Sequence, residues 1–338
     1  IYPGIGDIVW HLPFFRALAS RSLEKKIHLF TRKTTLAKEI LKYDKTISKV
    51  YYLNETRQFF NTIISFPKII KKLKKEKFET IWIFHRSPRY AVISRIAGIK
   101  NIYGFGLGAQ KIWLSSKKGI GDNSKKKDNI FKAKKLLSIH GIKCKNNFKL
   151  ELPDFVINKK LKKFKMFPKP WIAIGFSCNK TAFMKNNKPY SFYRTWRPEF
   201  FSDLINLIHS KNKKIFFFLI GAKNELNLAN KIKNKCLLKS KVIVSCNPII
   251  TNLSILLKSK VFIGNDSGPL NLSGAMGIKS FGLFGASPPI KNVNNIYPIV
   301  PPEGAVNPHK YGFNPISLEE GMDLIKPQNV FKKIKKFI

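Results

Sequence analysis

The chain has 338 residues, 44% hydrophobic and 13% aromatic, with 63 Lys and Arg against 19 Asp and Glu, a formal charge of +44. The apolar content excludes a disordered chain, the length suits about two domains, and no apolar run approaches the roughly 20 residues of a membrane-spanning helix. So high a charge leaves three readings: nucleic-acid binding, attachment to an anionic membrane, or a lysine-rich background composition.

The sequence opens without Met on a glycine turn, Pro3-Gly4-Ile5-Gly6-Asp7. A first strand is expected to be missing or severely shortened, and no signal-peptide pattern is visible. The hydrophobic rhythm then predicts a helix at about 8–18, strands at 27–30, 49–53 and 80–84, and helices at about 57–74, 88–97 and 128–140. The rhythm pauses at 151–170, where Phe167-Pro168-Lys169-Pro170 favours an extended linker. It restarts with strands at 171–176, 214–220, 242–244, 261–264 and 280–284. Helices are predicted at about 198–211, 224–236, 251–258, 268–276 and 326–337. This alternation predicts two α/β units, each a doubly wound parallel sheet with helices on both faces. In such sheets ligands bind at the carboxyl ends of the strands, and a cleft between the two units is the expected site.

The cations run from end to end rather than in a stripe, which disfavours nucleic acid. Three clusters, 68–77, 159–165 and 332–336, mix Lys with Ile, Leu or Phe at helical spacing, a pattern that suits either an anionic membrane surface or a solvated helix face. Cys144, Cys178, Cys236 and Cys246 form no CxxC pair, so a reducing compartment is expected rather than a disulfide or zinc framework.

Four stretches could carry chemistry. Gly4-Ile5-Gly6-Asp7-Ile8-Val9 opens a helix. Val9 replaces the third glycine of a dinucleotide loop, and Thr31-Arg32-Lys33 supplies no acidic residue for a ribose, so NAD is disfavoured. Asp7 is either a helix cap or a general base held at a cleft. In Gly264-Asn265-Asp266-Ser267-Gly268-Pro269-Leu270-Asn271 a buried strand turns into a helix. Its backbone N–H groups, the Ser267 hydroxyl and Gly268 suit a phosphate or diphosphate, while Asp266 suits sugar hydroxyls. The alternative is an ordinary Asp/Ser cap. Arg194, in Tyr193-Arg194-Thr195-Trp196-Arg197-Pro198, follows a basic loop at 177–192 that Ser177 opens and that contains Lys180, Lys185 and Lys188. It could clamp a diphosphate or be a surface charge beside a packed Trp. Glu225, after the Phe216-Phe217-Phe218 strand, could bind a ribose diol or begin a helix. There is no Walker A sequence, no GxSxG elbow and no DxD pair, so a metal-independent reaction is expected.

Together these pieces resemble glycosyltransferase family 9, the lipopolysaccharide heptosyltransferase family. The likeness rests on Gly4-Ile5-Gly6-Asp7 with Leu12-Pro13, on Arg86-Ser87-Pro88-Arg89 leading to Ile102-Tyr103-Gly104-Phe105, and on Arg194-Thr195-Trp196. Asn265-Asp266-Ser267-Gly268-Pro269 continuing to Gly277 and to Leu283-Phe284-Gly285-Ala286-Ser287-Pro288-Pro289 adds the most diagnostic stretch, and residues 322–330 fit the family's close. The resemblance implies a GT-B fold, two Rossmann-like domains facing across a cleft. The expected domains are 1–160 on the acceptor side and 161–325 for the nucleotide sugar, with a basic helix at 326–338 packing back on the first. It implies inverting, metal-independent transfer of a sugar, heptose from ADP-heptose, to a lipopolysaccharide-core or related glycan acceptor. Asp7 is then the catalytic base, and Gly6, Ser177, Arg194, Glu225, Asp266, Ser267, Gly268 and Asn271 bind substrate. Many family members carry a His where this chain has Asn271, which can hydrogen-bond but cannot carry a proton. No cofactor is expected, the ADP-linked donor being a substrate. The expected partners are a lipid-linked or other glycan acceptor and an anionic membrane surface, not nucleic acid. The expected location is cytoplasmic, peripheral on the inner membrane. Two alternatives stand beside this reading: a related transferase with another donor or a non-lipid acceptor, and a non-catalytic binder of anionic polymers on the same fold.

Overall fold

A computed structural model describes all residues except 1–3, 54–58, 117, 125–126, 179–183, 186–187, 190–192, 286, 290–294, 303 and 305–319, and of 59–65, 184–185 and 188–189 it describes the backbone only. The chain divides into two compact units. One holds Trp10–Lys38 and Lys45–Asn147; the other holds Ile1–Val9, Glu39–Asp44 and Phe148–Ile338. Asp7 therefore groups with the carboxy-terminal unit.

α1 (Ile5–Ala19), whose first turn belongs to the other unit, leads into two parallel strands of the first, β1 (Ile27–Arg32) and β2 (Ile47–Leu53), and the short α2 (Ala37–Ile40) between them also crosses the division. Then come α3 (Phe59–Glu76), β3 (Thr80–Ile83), α4 (Arg89–Ile96), β4 (Asn101–Gly104) and α5 (Asn129–Ile139). β3 and β4 also pair in parallel. The apolar faces of α3 and α4 close over Ile83 and Ile102 to form one core, against which Phe30 and Leu53 of the other strand pair also pack. β4 has only four residues and was not expected from the sequence.

The second unit is built on one six-stranded parallel sheet. In chain order it contains α6 (Asp154–Leu161), β5 (Trp171–Gly175), the two-residue strands β6 (Met184–Lys185) and β7 (Lys188–Pro189), which pair only with each other, and α7 (Pro198–Lys211). β8 (Phe216–Ile220), α8 (Leu226–Asn234), β9 (Val242–Ser245), α9 (Ile249–Lys258) and β10 (Val261–Asn265) follow. The chain ends with α10 (Gly268–Ala275), β11 (Ser280–Leu283), β12 (Ile296–Ile299) and α11 (Pro327–Ile334). The sheet order is β12-β11-β10-β5-β8-β9, a doubly wound topology whose direction of winding reverses between β5 and β10. β5, β8 and β10 are buried along their whole length, as continuous apolar strands with both faces covered should be.

One face of this sheet packs Phe176, Phe217 and Ile263 against Trp196, Phe201 and Ile208. On the other face Phe218 meets Trp171 at 4.6 Å and Phe164 at 5.5 Å between ring centroids. Phe164 arrives there because residues 154–161, where the rhythm pauses, are helical; the proline segment 167–170 itself carries neither helix nor strand. Val156, Ile157, Leu161 and Phe164 are buried, and that apolar stripe outweighs the surrounding lysines, with Pro153 just before the first turn. The final helix, expected to return to the amino-terminal domain, instead buries Val330 and Ile334 in the core of this second unit beside Phe201 and Ile208.

At the reversal point Gly264 pairs in register with Gly175. A Cβ on Gly264 would stand 2.5 Å from the Gly175 oxygen and 2.8 Å from its Cα. Backbone cannot move aside as a flexible side chain can, so Gly264→Ala should destabilise the fold by about 1–3 kcal/mol. Chemical denaturation checks this, and a variant as stable as the parent would contradict the close packing of β5 on β10.

Candidate functional site

The carboxyl ends of β10, β5 and β8 lie side by side, and each delivers expected site residues: Asp266, Ser267 and Gly268 after β10, Ser177 after β5, and Glu225 after β8. Asn265, the last residue of β10, fastens the arrangement. Fully buried, it accepts from the Trp196 backbone N–H at 3.0 Å and donates to the Phe176 carbonyl at 3.0 Å. The Trp196 indole is buried and donates to the Ile325 carbonyl at 2.7 Å. The Trp is therefore packed as the bland reading expected, and its burial fixes the backbone that carries Arg194.

Arg194 is not a loose surface charge. Its Nη2 forms an ion pair with the Asp266 carboxylate and donates to the Asp266 carbonyl, with side chains only 18% and 10% exposed. Ser287 Oγ donates to the same carboxylate at 2.6 Å. Asp266 thus has its charge met inside the protein, which removes the repulsion a bare carboxylate would exert on a bound phosphate. The Cys178 thiol lies 3.4 Å from the Arg194 carbonyl and 3.5 Å from the Asp266 carbonyl. Burial pushes this thiol up to about 12, against the opposing pull of Arg194, so it stays a neutral S–H donor.

Ser267 is the N-cap residue of α10, but its hydroxyl makes no capping bond. Pro269, at the second helical position, has no N–H to offer it. Ser267 Oγ is buried and without a hydrogen-bond partner among the described residues, a state that costs free energy unless something fills it. The neighbouring helix N–H groups and dipole favour an anion there. Asn271 turns its side-chain amide back to the Ser267 carbonyl at 2.9 Å, bracing the turn.

Gly6 and Asp7 lie in the first turn of α1. The Asp7 carboxylate accepts from the Gly4 N–H at 2.7 Å, as an acidic residue at the third helical position does when it reaches back to the N-cap. The capping reading of Asp7 is therefore realised. A Cβ on Gly268 would meet the Ile5 Cβ at 2.9 Å, so the turn that carries Asp7 packs directly on the turn that carries Ser267. Glu225 donates nothing and accepts twice, from Ser177 Oγ and from the Ala222 N–H at 2.6 Å. It starts a helical turn and also joins the ends of β5 and β8.

Sequence reasoning did not select Ser287, Asn265 or Cys178 as site residues. Lys180 and the side chains of Lys185 and Lys188 lie outside the described residues. In the first unit the Arg86-Ser87 segment and the glycine turn at 104–106 are tied by Gln110. It donates to the His85 carbonyl at 2.7 Å and accepts from the Gly106 N–H at 2.9 Å.

The sequence pattern of glycosyltransferase family 9 (heptosyltransferase) matches residues 66–296. The chain belongs to glycosyltransferase family 9. It is a glycosyltransferase, and its α/β fold is that of the GT-B heptosyltransferases. Among solved structures it is similar to ADP-heptose lipopolysaccharide heptosyltransferase II of E. coli (13% identity, 99% of this chain and 96% of that one, TM-score 0.74). A glycosyl transferase family 9 structure from Veillonella parvula DSM 2008 matches equally well (13% identity, 100% and 95%, TM-score 0.74). E. coli heptosyltransferase WaaC with ADP-2-deoxy-2-fluoro heptose also matches (13% identity, 99% and 97%, TM-score 0.70). No curated protein matches in sequence.

Removing one member of a buried ion pair strands the other, at a cost of about 3–5 kcal/mol. For this family 9 transferase, Arg194→Met and Asp266→Asn should each lower stability, and the double variant should lose less than the sum. Urea unfolding of the four proteins measures the coupling. Strict additivity would show that the pair does not hold the turn.

Proposed function

We propose that the protein transfers heptose from ADP-heptose, with inversion, to a lipopolysaccharide-core or related glycan acceptor at the cytoplasmic face of the inner membrane. The observation that carries this is the Ser267 hydroxyl, without a partner among the described residues and buried at the amino end of α10 where the sheet reverses, in the residue next to the Arg194–Asp266 pair. A diphosphate supplies the oxygens such a hydroxyl lacks. E. coli heptosyltransferase WaaC, a similar fold, is known in structures with ADP and with ADP-2-deoxy-2-fluoro heptose, which supports the choice of donor.

In this reaction the acceptor oxygen attacks the anomeric carbon, the carbon–oxygen bond to the diphosphate breaks, and the acceptor proton passes to Asp7. Charge gathers on the departing diphosphate. Arg194, the Ser267 hydroxyl and the α10 N–H groups stabilise it more as the bond breaks than before, which is what accelerates the step. No metal ion is assigned to this role. Asp7 is already oriented by the Gly4 N–H, Gly6 lets the acceptor approach that turn, and Asp266 holds Arg194. Glu225 and Ser177, braced together, take the nucleotide ribose. Asn271 steadies the phosphate turn in place of an ionisable group.

Asp7→Asn keeps an oxygen for the Gly4 N–H but cannot take a proton. It should lower transfer by about 10²–10⁴-fold while thermal stabilisation by ADP stays unchanged. A radiolabelled-acceptor assay beside a melting experiment reads both, and full transfer by this variant would remove Asp7 from the mechanism.

A further inference from the structure

The amino-terminal unit carries an exposed apolar patch that includes none of the residues assigned above. Residues 108–113 form a 3₁₀ helix whose end is fastened to α4 and β4. Arg95 Nη2 donates to the Trp113 carbonyl at 3.1 Å. Ser115 Oγ donates to the Lys100 carbonyl at 2.6 Å and accepts from the Ile102 N–H at 2.8 Å. Leu114 turns inward onto the core around Ile93 and Ile102. Its neighbours turn outward: Ile112 is 77% exposed, Trp113 37%, and Ile96, adjacent to Arg95, 54%. Scattered surface apolar residues need no explanation, but Ile112 and Trp113 sit on an anchored turn that Arg95, the residue before Ile96, ties to α4.

The charge around the patch is mostly positive, although the exposed Glu79 stands beside Lys100, its carbonyl accepting from the Asn101 N–H at 2.9 Å. No Asp or Glu occurs between Glu79 and Asp122, and Arg95, Lys100, Lys111 and Lys118 are all exposed. α3, which packs against α4, adds exposed Lys68, Lys71, Lys74 and Lys75. No described helix is long and apolar enough to cross a membrane.

We propose that Ile96, Ile112 and Trp113 insert into the surface of an anionic lipid bilayer, with the surrounding Lys and Arg side chains on its headgroups. Trp favours the boundary between headgroup and hydrocarbon, and basic side chains near an anionic leaflet add attraction. Nucleic acid fits less well: a base could stack on Trp113, but two of the three apolar side chains are aliphatic and offer no aromatic face. This inference does not depend on the sugar chemistry proposed above.

The test is sedimentation of the full chain with phosphatidylcholine vesicles, with and without phosphatidylglycerol. The parent should bind the anionic vesicles, and the I112S/W113S double variant should bind at least about tenfold more weakly. L237S, which removes an exposed apolar side chain of the other unit, should bind as the parent does, as should the double variant with mixed-sequence DNA. Should the double variant melt early, the single substitutions I112E and I96E on exposed residues give the same reading. Failure of the parent to bind, equal binding by the patch variants, or an equal loss of DNA binding would overturn the proposal. None of these outcomes bears on transfer by the Asp7 variant.

Discussion

The ion pair between Arg194 and Asp266 is the interaction on which the site depends. It joins the segment entering α7 to the end of β10, across the point where the sheet reverses its winding. Both side chains are largely buried, and each ion is met by the other and by hydrogen bonds around it, Ser287 donating to the carboxylate. A pair of this kind adds little net stability over apolar packing, yet either half alone is costly. The turn at Asp266-Ser267-Gly268 is thereby kept in one conformation, with a hydroxyl and helix N–H groups set for an anion before any ligand arrives. In catalysis such preorganisation matters more than the number of contacts.

Much of this architecture was legible in the sequence. The strands ending in Gly175, Ile220 and Asn265 are apolar along their length because both faces are covered, and such runs stand out among lysines. Pro198 and Pro269 mark the starts of the helices after Trp196 and Ser267. Other features were not legible, for physical reasons. The pause at 151–170 hid the buried stripe of Val156, Ile157, Leu161 and Phe164 among lysines and prolines, so the helix at 154–161 was not expected. β12 contains Pro298, which counts against a strand unless it lies at the edge of the sheet, as β12 does. The Arg194–Asp266 pair joins residues 72 positions apart, and no local pattern reveals such a contact. Asn265 stood in the recognised motif, yet its tie to both Trp196 and Phe176 is a property of the folded sheet alone.

The high positive charge divides into different roles once the structure is known. Some cations are spent locally: Arg197 pairs with Asp323, Lys235 with Glu199, and Lys241 lies 4.1 Å from the centre of the Phe216 ring. The final basic helix, whose lysines invited a surface reading, is anchored by Val330 and Ile334 in the core. Around Trp113, by contrast, charge and exposed apolar surface coincide. Composition alone cannot separate these cases, because a lysine looks the same in sequence whether it faces water, a ring or a carboxylate.

The account stands most directly on the hydroxyl of Ser267. Calorimetric titration of ADP into the parent and the Ser267→Ala variant, with melting curves of both unliganded proteins, isolates it. Deleting a buried group that has no partner among the described residues should leave the free protein at least as stable, while ADP should bind about tenfold more weakly. Equal affinity for ADP in the two proteins would contradict the assignment of this turn to the diphosphate.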